Sequence, residues 1–441
     1  MAFCRLPWQG LMITPLGDFR LCALTNGLDY NQGMSTDEDG KLMNIMTHSP
    51  NEGLNGKWHR EVRMNDVKTD GSWHDICSCC RDREIATGSD IKHIAASRRQ
   101  SMERRNPSTH IVDGNSYKDV KMDENGYVDW MPTTLDIRFG NLCNMACVQC
   151  GPNYSNKWYE DWVGFYGENA PWGFGRSRQR LSRNEHNKLV NKQEVKWWES
   201  DIWWEKFDQM LPTLEHIYLT GGEPMIVPAH DEMLDRIIAS GRAKDVYLDY
   251  DTNLSVINTK LAKRWDHFKH VEIAGSIDAS EDNYEFVRHG GKWEKFDSNV
   301  TRIKEFEEGG VVRLYRLTAC MQPTTIFSIL QTEQYCMNKG IPFQIRFVDS
   351  PKMHSIMSLP KSAKEEIIEI YSKVDTVTSR LVVEWTADHL DEKYESPEDV
   401  KRYVRIMNYL DTSRGTDWKV QTKGTWQMIS KHCKDYLGEL K

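Results

Sequence analysis

The 441-residue sequence contains no apolar run approaching the roughly 18 to 20 residues that a bilayer-spanning helix needs, so no membrane partner is expected. Its start, MAFCRLPWQG, lacks a basic segment followed by an apolar core, which argues against a secretory leader and for a cytoplasmic protein. Positive charge is not in excess. Lys and Arg number 57 against 65 Asp and Glu, a formal net charge of −8, so neither nucleic acid nor an anionic membrane is the expected partner. There is no internal repeat and no low-complexity block, which sets aside a repeat array. The length suffices for one large α/β domain with attachments, or for two to three ordinary domains.

Cysteine is present in quantity and unevenly spread. Eleven cysteines would suit a disulfide framework in a short secreted chain, but a long chain without a leader points to metal or redox use. Five lie in the first 80 residues and three between 143 and 150. Cys320, Cys336 and Cys433 stand alone and read as small buried apolar residues.

A polar stretch around residues 81–125, containing SRRQSMERRNPSTH, separates the first cysteines from the rest and marks a domain boundary. The basic residues from Arg98 to Arg105 read as a solvated linker or helix face, with a phosphate contact as the alternative. From residue 133, short apolar strands alternate with amphipathic segments: Leu135, Ile137 and Phe139, then HIYLT at 216–220, VYLDY at 246–250, VEIAGSI at 271–277, VVRLYRLTAC at 311–320 and IPFQIRFV at 341–348. Between them, Met233, Leu234, Ile237 and Ile238 form a helical face ending at Gly241. Phe296, Val300, Ile303 and Phe306 form another ending at Gly309 and Gly310, and Ile326, Ile329 and Leu330 mark a third ending near Gly340. Strand, helix, strand in succession predicts parallel pairing, as a doubly wound sheet or a closed or partial barrel, with chemistry at the C-terminal strand ends. An insert at about 151–214 carries seven tryptophans, Trp158, Trp162, Trp172, Trp197, Trp198, Trp203 and Trp204, which either line a cleft or pack an elaborated helix against the sheet. Polar amphipathic segments after residue 360 predict a helical C-terminal extension.

Directly after the strand LDIRF the chain reads GNLCNMACVQCGP, placing Cys143, Cys147 and Cys150 at C-x3-C-x2-C spacing. A 4Fe-4S cube asks for four thiolates and only three are local, which leaves one coordination position for a reactant. A structural zinc site would find its fourth ligand nearby, and the next forty residues offer only His186. The loop resembles the cluster loop of radical S-adenosylmethionine enzymes, in which the open iron is chelated by the methionine moiety and electron transfer yields a 5'-deoxyadenosyl radical. The residue before the third cysteine, commonly aromatic there and in contact with adenine, is Gln149 here. After the next strand, Gly221, Gly222, Glu223 and Pro224 resemble that family's GGEP motif, which binds the methionine amino group. Thr252-Asn253 resembles its TN segment, and Ser276-Ile277-Asp278 its SID segment near ribose and substrate. Asp278 reads equally well as a helix cap. Arg288-His289-Gly290-Gly291 and the following stretch resemble members acting on peptides. The resemblance spans about residues 130–350 and implies a partial (β/α)6 TIM-type barrel.

The opening FCRLPWQGLMITPLGDFRLC predicts a β-hairpin turning at Pro15-Leu16-Gly17-Asp18, with Cys4 and Cys22 at its outer ends. ICSCCRDRE then offers Cys77, Cys79 and Cys80, of which Cys77 and Cys80 form a C-x2-C pair. This arrangement resembles the twitch type of auxiliary-cluster domain, a shortened relative of the SPASM domain, although here it precedes the barrel. It implies a second 4Fe-4S cluster on Cys4, Cys22, Cys77 and Cys80, with Cys79 as a spare or substitute ligand and a zinc ribbon as the alternative. The expected organisation is thus an auxiliary domain and linker over 1–105, a core barrel over 125–360 and a helical extension over 361–441. The expected function is hydrogen abstraction from a substrate, with a peptide or protein favoured, and with flavodoxin or ferredoxin as electron donor. The alternatives are a small-molecule or cofactor-biosynthesis radical reaction and a non-catalytic zinc-binding interaction protein.

Overall fold

The computed structural model describes residues 4–25, 33–68, 73–81, 122–170, 180–192 and 194–437. The basic run at 98–105 and Trp172 lie outside these residues.

All six strands expected from the alternation are present: β3 (Thr134–Ile137), β6 (His216–Leu219), β7 (Tyr247–Thr252), β8 (His270–Ser276), β9 (Val312–Met321) and β10 (Phe343–Phe347). They pair in parallel and in chain order. A doubly wound sheet reverses its strand order at a switch point, and these six strands have no such reversal. The expected helices follow at Pro228–Ala239, Trp293–Glu307 and Ile329–Asn338, and their predicted stops coincide with left-handed glycines at 241, 310 and 340.

The two faces of the sheet differ in chemistry. Leu135, Ile217, Leu248, Val271 and Val312 lie side by side across five strands, as do Ile137, Leu219, Tyr250, Ile273 and Leu314. All ten are buried in the main core. One residue along, the rows are Asp136, Tyr218, Asp249, Glu272 and Arg313, then Asp251, Ala274 and Arg316, and then Ser276, Thr318 and Gln344. Because side chains alternate along a strand, one face is apolar and the other carries charge. The alternation in β9 survives a register shift opposite Ile273 and Ala274, with Tyr315 the residue passed over.

The N-terminal hairpin forms as expected. Its strands β1 (Gly10–Ile13) and β2 (Phe19–Arg20) pair antiparallel, with Ile13 opposite Phe19. However, β1 also runs parallel to β3, with Leu11 beside Leu135 and Ile13 beside Ile137, so the hairpin and the six parallel strands share one eight-stranded sheet. The physical reason is the unpaired edge of β3, whose amides and carbonyls β1 satisfies.

Of the insert tryptophans, Trp158, Trp197, Trp198, Trp203 and Trp204 are buried in the core. Trp197, Trp198 and Trp203 gather around Phe139 with ring centroids 5.6 to 6.4 Å away. These rings therefore pack the insert onto the end of β3. The insert also contains helices at Tyr159–Tyr166 and Asp201–Met210 and a short hairpin, β4 (Leu181–Arg183) with β5 (Leu189–Asn191). Residues 361–437 are helical, with Pro397–Arg414 the longest helix.

Candidate functional site

The loop after β3 holds Cys143, Cys147 and Cys150, with Cys143 and Cys147 buried and Cys150 partly exposed. The three thiols and Met145 form a small cluster of their own. Two backbone bonds seat the loop: the Ala146 amide donates to the His289 carbonyl and the Val148 amide to the Val287 carbonyl, both at 2.8 Å. The 288–291 segment, for which the sequence supplied only a resemblance, thus supports the loop from below. A Cβ on Gly290 would lie 3.0 Å from the Asn144 carbonyl, and that residue has φ +92°, so glycine is required there.

The glycines after β6 meet the same loop from the other side. A Cβ on Gly222 would lie 2.2 Å from the Leu142 carbonyl oxygen, and the Glu223 amide donates to that oxygen at 2.8 Å. Glu223 is fully buried. Its carboxylate accepts from the Met225 amide at 3.2 Å, from Thr252 Oγ1 at 2.8 Å and from the Asn253 amide at 2.7 Å. Burial raises its pKa, and these three bonds oppose the rise. Glu223 therefore ties the GGEP turn to the end of β7, and a carboxylate with about four acceptor positions retains one for a further donor. Pro224 opens the short 3-10 helix that follows. Asn253 closes the triangle, its Nδ2 donating to Asn144 Oδ1 at 2.9 Å and lying 3.9 Å from Cys143 Sγ.

At the end of β8, Ser276 lies on the polar face beside Thr318. Asp278 does not cap the next helix, whose N-cap is Glu281 without a side-chain bond. It forms a buried ion pair with Arg288 at 2.6 Å and accepts the Cys320 amide at 2.8 Å. Gln149 donates to the same carboxylate and receives a bond from Gln322 at 3.3 Å. The residue that departs from the family's aromatic thus joins a polar network at the strand ends. Cys320, expected as a core filler, lies on the polar face of β9 beside Arg346 of β10; Cys336 and Cys433 are buried in the apolar core as expected.

Burial pushes the Cys143 thiol up to about 11, although the Met145 amide partly offsets this. A hydrogen bond shared with Cys150 lowers Cys147 and raises Cys150, so Cys147 ionises first of the two. Burial acts to lower the pKa of Arg288, but Cys147 and Asp278 carry it above its ordinary value, and its fixed charge favours the thiolates in turn.

Cys4 precedes a short helix, Leu6–Gln9, that leads into β1 and so does not lie at the hairpin end as expected; with Cys22 after β2 and Cys77 and Cys80 on a short helical turn, it lines one apolar cavity with Leu6, Leu21 and Ile76. Burial, then the neighbouring thiols Cys22, Cys77 and Cys80, raise Cys4 well above the ordinary thiol range. Cys77 is raised by burial and by Cys22 and Cys80. Cys79 is not among the residues lining this cavity. Among the described residues, no three His, Cys, Asp or Glu side chains are grouped to hold a single metal ion. An iron-sulfur cube takes one thiolate per iron, so its cysteines need not meet at one point.

No family model and no curated protein matches the chain. Solved structures do resemble it. AnSMEcpe with bound AdoMet and Cp18Cys peptide aligns at 15% identity and TM-score 0.33, over 54% of this chain and 58% of that one. Streptococcus suis SuiB bound to S-adenosylmethionine aligns at 13% and 0.32, over 55% and 47%. SuiB bound to precursor peptide SuiA aligns at 15% and 0.31, over 55% and 45%. The chain thus spans less than two thirds of the length of each of these three, and a likeness this distant leaves function to the geometry of the site. No helix among the described residues is long and apolar enough to cross a membrane.

Proposed function

We propose that the chain is a radical S-adenosylmethionine enzyme built on a partial (β/α)6 barrel, with a 4Fe-4S cluster on Cys143, Cys147 and Cys150. The observation that carries this reading is the contact between an incomplete cysteine triad and the GGEP turn. Gly222 lies so close to Leu142 that no side chain fits, and Asn253 reaches Cys143 from the next strand. A zinc site has no use for this assembly. The sheet supports the reading too: one apolar and one charged face, on six parallel strands paired in chain order, suit a barrel wall whose polar side would surround a reaction space.

The residues fit the cofactor by donor chemistry: three thiols on one loop, with a buried arginine beside them and a glycine turn against them. When bound, a cluster with one open iron supplies the electron that cleaves S-adenosylmethionine to methionine and a 5'-deoxyadenosyl radical. The chain's residues would orient that chemistry. Glu223 holds the Gly221-Gly222 turn and offers a remaining acceptor position to the methionine ammonium, while Ser276 and Asp278 lie at the strand end expected near ribose and substrate. Cys4, Cys22, Cys77 and Cys80 would hold an auxiliary 4Fe-4S cluster, since four thiols around one cavity supply its full ligand set. A peptide or protein substrate and a flavodoxin or ferredoxin donor complete the proposal.

Anaerobic reconstitution followed by iron, sulfide and zinc analysis tests it. About eight irons with matching sulfide are expected for two 4Fe-4S clusters. Stoichiometric zinc without sulfide would overturn the reading in favour of a zinc-binding protein.

A further inference from the structure

Three consecutive carbonyls of the cysteine loop each accept a hydrogen bond from a side chain outside it. Ser155 Oγ donates to the Met145 carbonyl at 2.6 Å, Arg414 Nη1 to the Ala146 carbonyl at 2.9 Å and Trp158 Nε1 to the Cys147 carbonyl at 2.8 Å. Ser155 and Trp158 come from the segment just after the loop, but Arg414 is 268 residues away from Ala146, at the end of the long helix of the C-terminal extension. Its side chain is 5% exposed and pairs with Asp161 through two nitrogens, at 3.0 and 2.8 Å. The guanidinium also lies 4.8 Å from the Trp158 ring centroid, so the two carbonyl donors brace each other.

The helix that delivers Arg414 is fixed in place. A Cβ on Gly164 would lie 1.8 Å from Tyr409 Oη, so the Tyr159–Tyr166 and Pro397–Arg414 helices approach closely there. Ser413 Oγ donates to Asp161 at 2.8 Å, and Gly415 ends the helix in the left-handed conformation immediately after Arg414. A buried arginine with two nitrogens on one Asp161 oxygen and a third on the Ala146 carbonyl is a strong local restraint.

We propose that Arg414 is a positioning residue for the cysteine loop, through which the C-terminal extension holds Ala146 and Cys147 and hence sets how the three thiols are presented. The restraint on the loop follows from the bonds themselves; its consequence for a bound cluster rests on the function proposed above.

The test compares Arg414→Gln, Arg414→Lys and, on the exposed side of the same helix, Arg405→Gln. Amide exchange is read in metal-free protein and the electron-paramagnetic signal in reconstituted protein. In Arg414→Gln the Ala146 and Val148 amides should exchange roughly tenfold faster or more, as expected for loss of a charged hydrogen bond. Amides of β7 should be unchanged, and the line shape of the reduced cluster should alter. Arg414→Lys should restore part of the protection, since it keeps charge without the planar fork. Arg405→Gln should match wild type. Unchanged loop exchange in Arg414→Gln, or acceleration spread evenly over the protein, would overturn the proposal. Faster loop exchange in a protein whose wild type never takes up iron would uphold the positioning role and defeat the cluster reading.

Discussion

Replacing Gly222 by alanine tests the contact between the GGEP turn and the cysteine loop directly. The added Cβ would lie 2.2 Å from the Leu142 carbonyl oxygen, 2.7 Å from its carbonyl carbon and 2.8 Å from the Asn141 carbonyl carbon. All three are backbone atoms, so no side chain can rotate aside. Ordinary contact begins at 3.4 Å, so along the shortest line the loop or the turn must retreat by 3.4 − 2.2 = 1.2 Å. Leu142 immediately precedes Cys143, and its carbonyl accepts the Glu223 amide, so that retreat moves a thiol and weakens the bond joining the two segments. Overpacking of this kind costs about 1 to 3 kcal/mol. The rest of the core is untouched, so the variant should fold, melt a few degrees lower and lose about half of its reconstituted iron. Differential scanning calorimetry and iron analysis measure both effects. Gly241→Ala provides the control, because its φ of +76° strains a Cβ but nothing lies within 4 Å of it. A Gly222→Ala protein with wild-type iron content and wild-type affinity for S-adenosylmethionine would refute the reasoning.

Glu223→Ala should weaken S-adenosylmethionine binding by about 1.5 to 3 kcal/mol if its remaining acceptor position takes the ammonium; unchanged affinity by calorimetric titration would leave it a purely structural tie. Replacing Cys77 and Cys80 together should remove about half the iron while Cys79→Ala removes none, since Cys79 does not line the four-thiol cavity. The Cys77/Cys80 variant should still release 5'-deoxyadenosine under dithionite, measured by chromatography, because no residue of the Cys143–Cys150 loop lines the cavity these two share. The N-terminal region should also show opposed pH dependences. Burial holds His59 down to about 3, so the stability it contributes is complete above its ordinary value of 6.5 and is lost as pH falls from there toward 3, by up to about 5 kcal/mol. Burial raises Asp66 from 3.8 to about 7, so its stabilising effect is complete below 3.8 and is lost as pH rises through 7, by up to about 4 kcal/mol. The two windows overlap between 3.8 and 6.5 and offset each other there, so in denaturant melts His59→Gln should leave stability falling as pH rises through that range and Asp66→Asn should leave it rising.

The strands and the cysteine loop were legible in the sequence because each depends on local chemistry. Alternation along VYLDY and VEIAGSI records which side of a strand is buried, glycines at 241, 310 and 340 record helix ends, and C-x3-C-x2-C needs only one short loop. The order in which the strands pair lay beyond local pattern, as did the row shared by Asp136, Tyr218, Asp249 and Glu272. The tryptophans looked the same for a cleft as for a core until Phe139 was found among them. Asp278 could not be separated from a helix cap until Arg288 was seen against it, because a carboxylate takes whichever donor the fold brings. The sequence by itself therefore determined the strand and helix alternation and the cysteine loop that follows the first strand of the series. The hairpin ends and the C-x2-C pair pointed to Cys4, Cys22, Cys77 and Cys80 as one set, and the structure places all four around one cavity. Tertiary structure alone decided that β1 would cover the edge of β3 and that Arg414 would hold the Ala146 carbonyl. The physical reason is that burial periodicity and turn chemistry act over a few residues, whereas edge pairing and buried ion pairs join groups whose spacing along the chain carries no trace of their meeting.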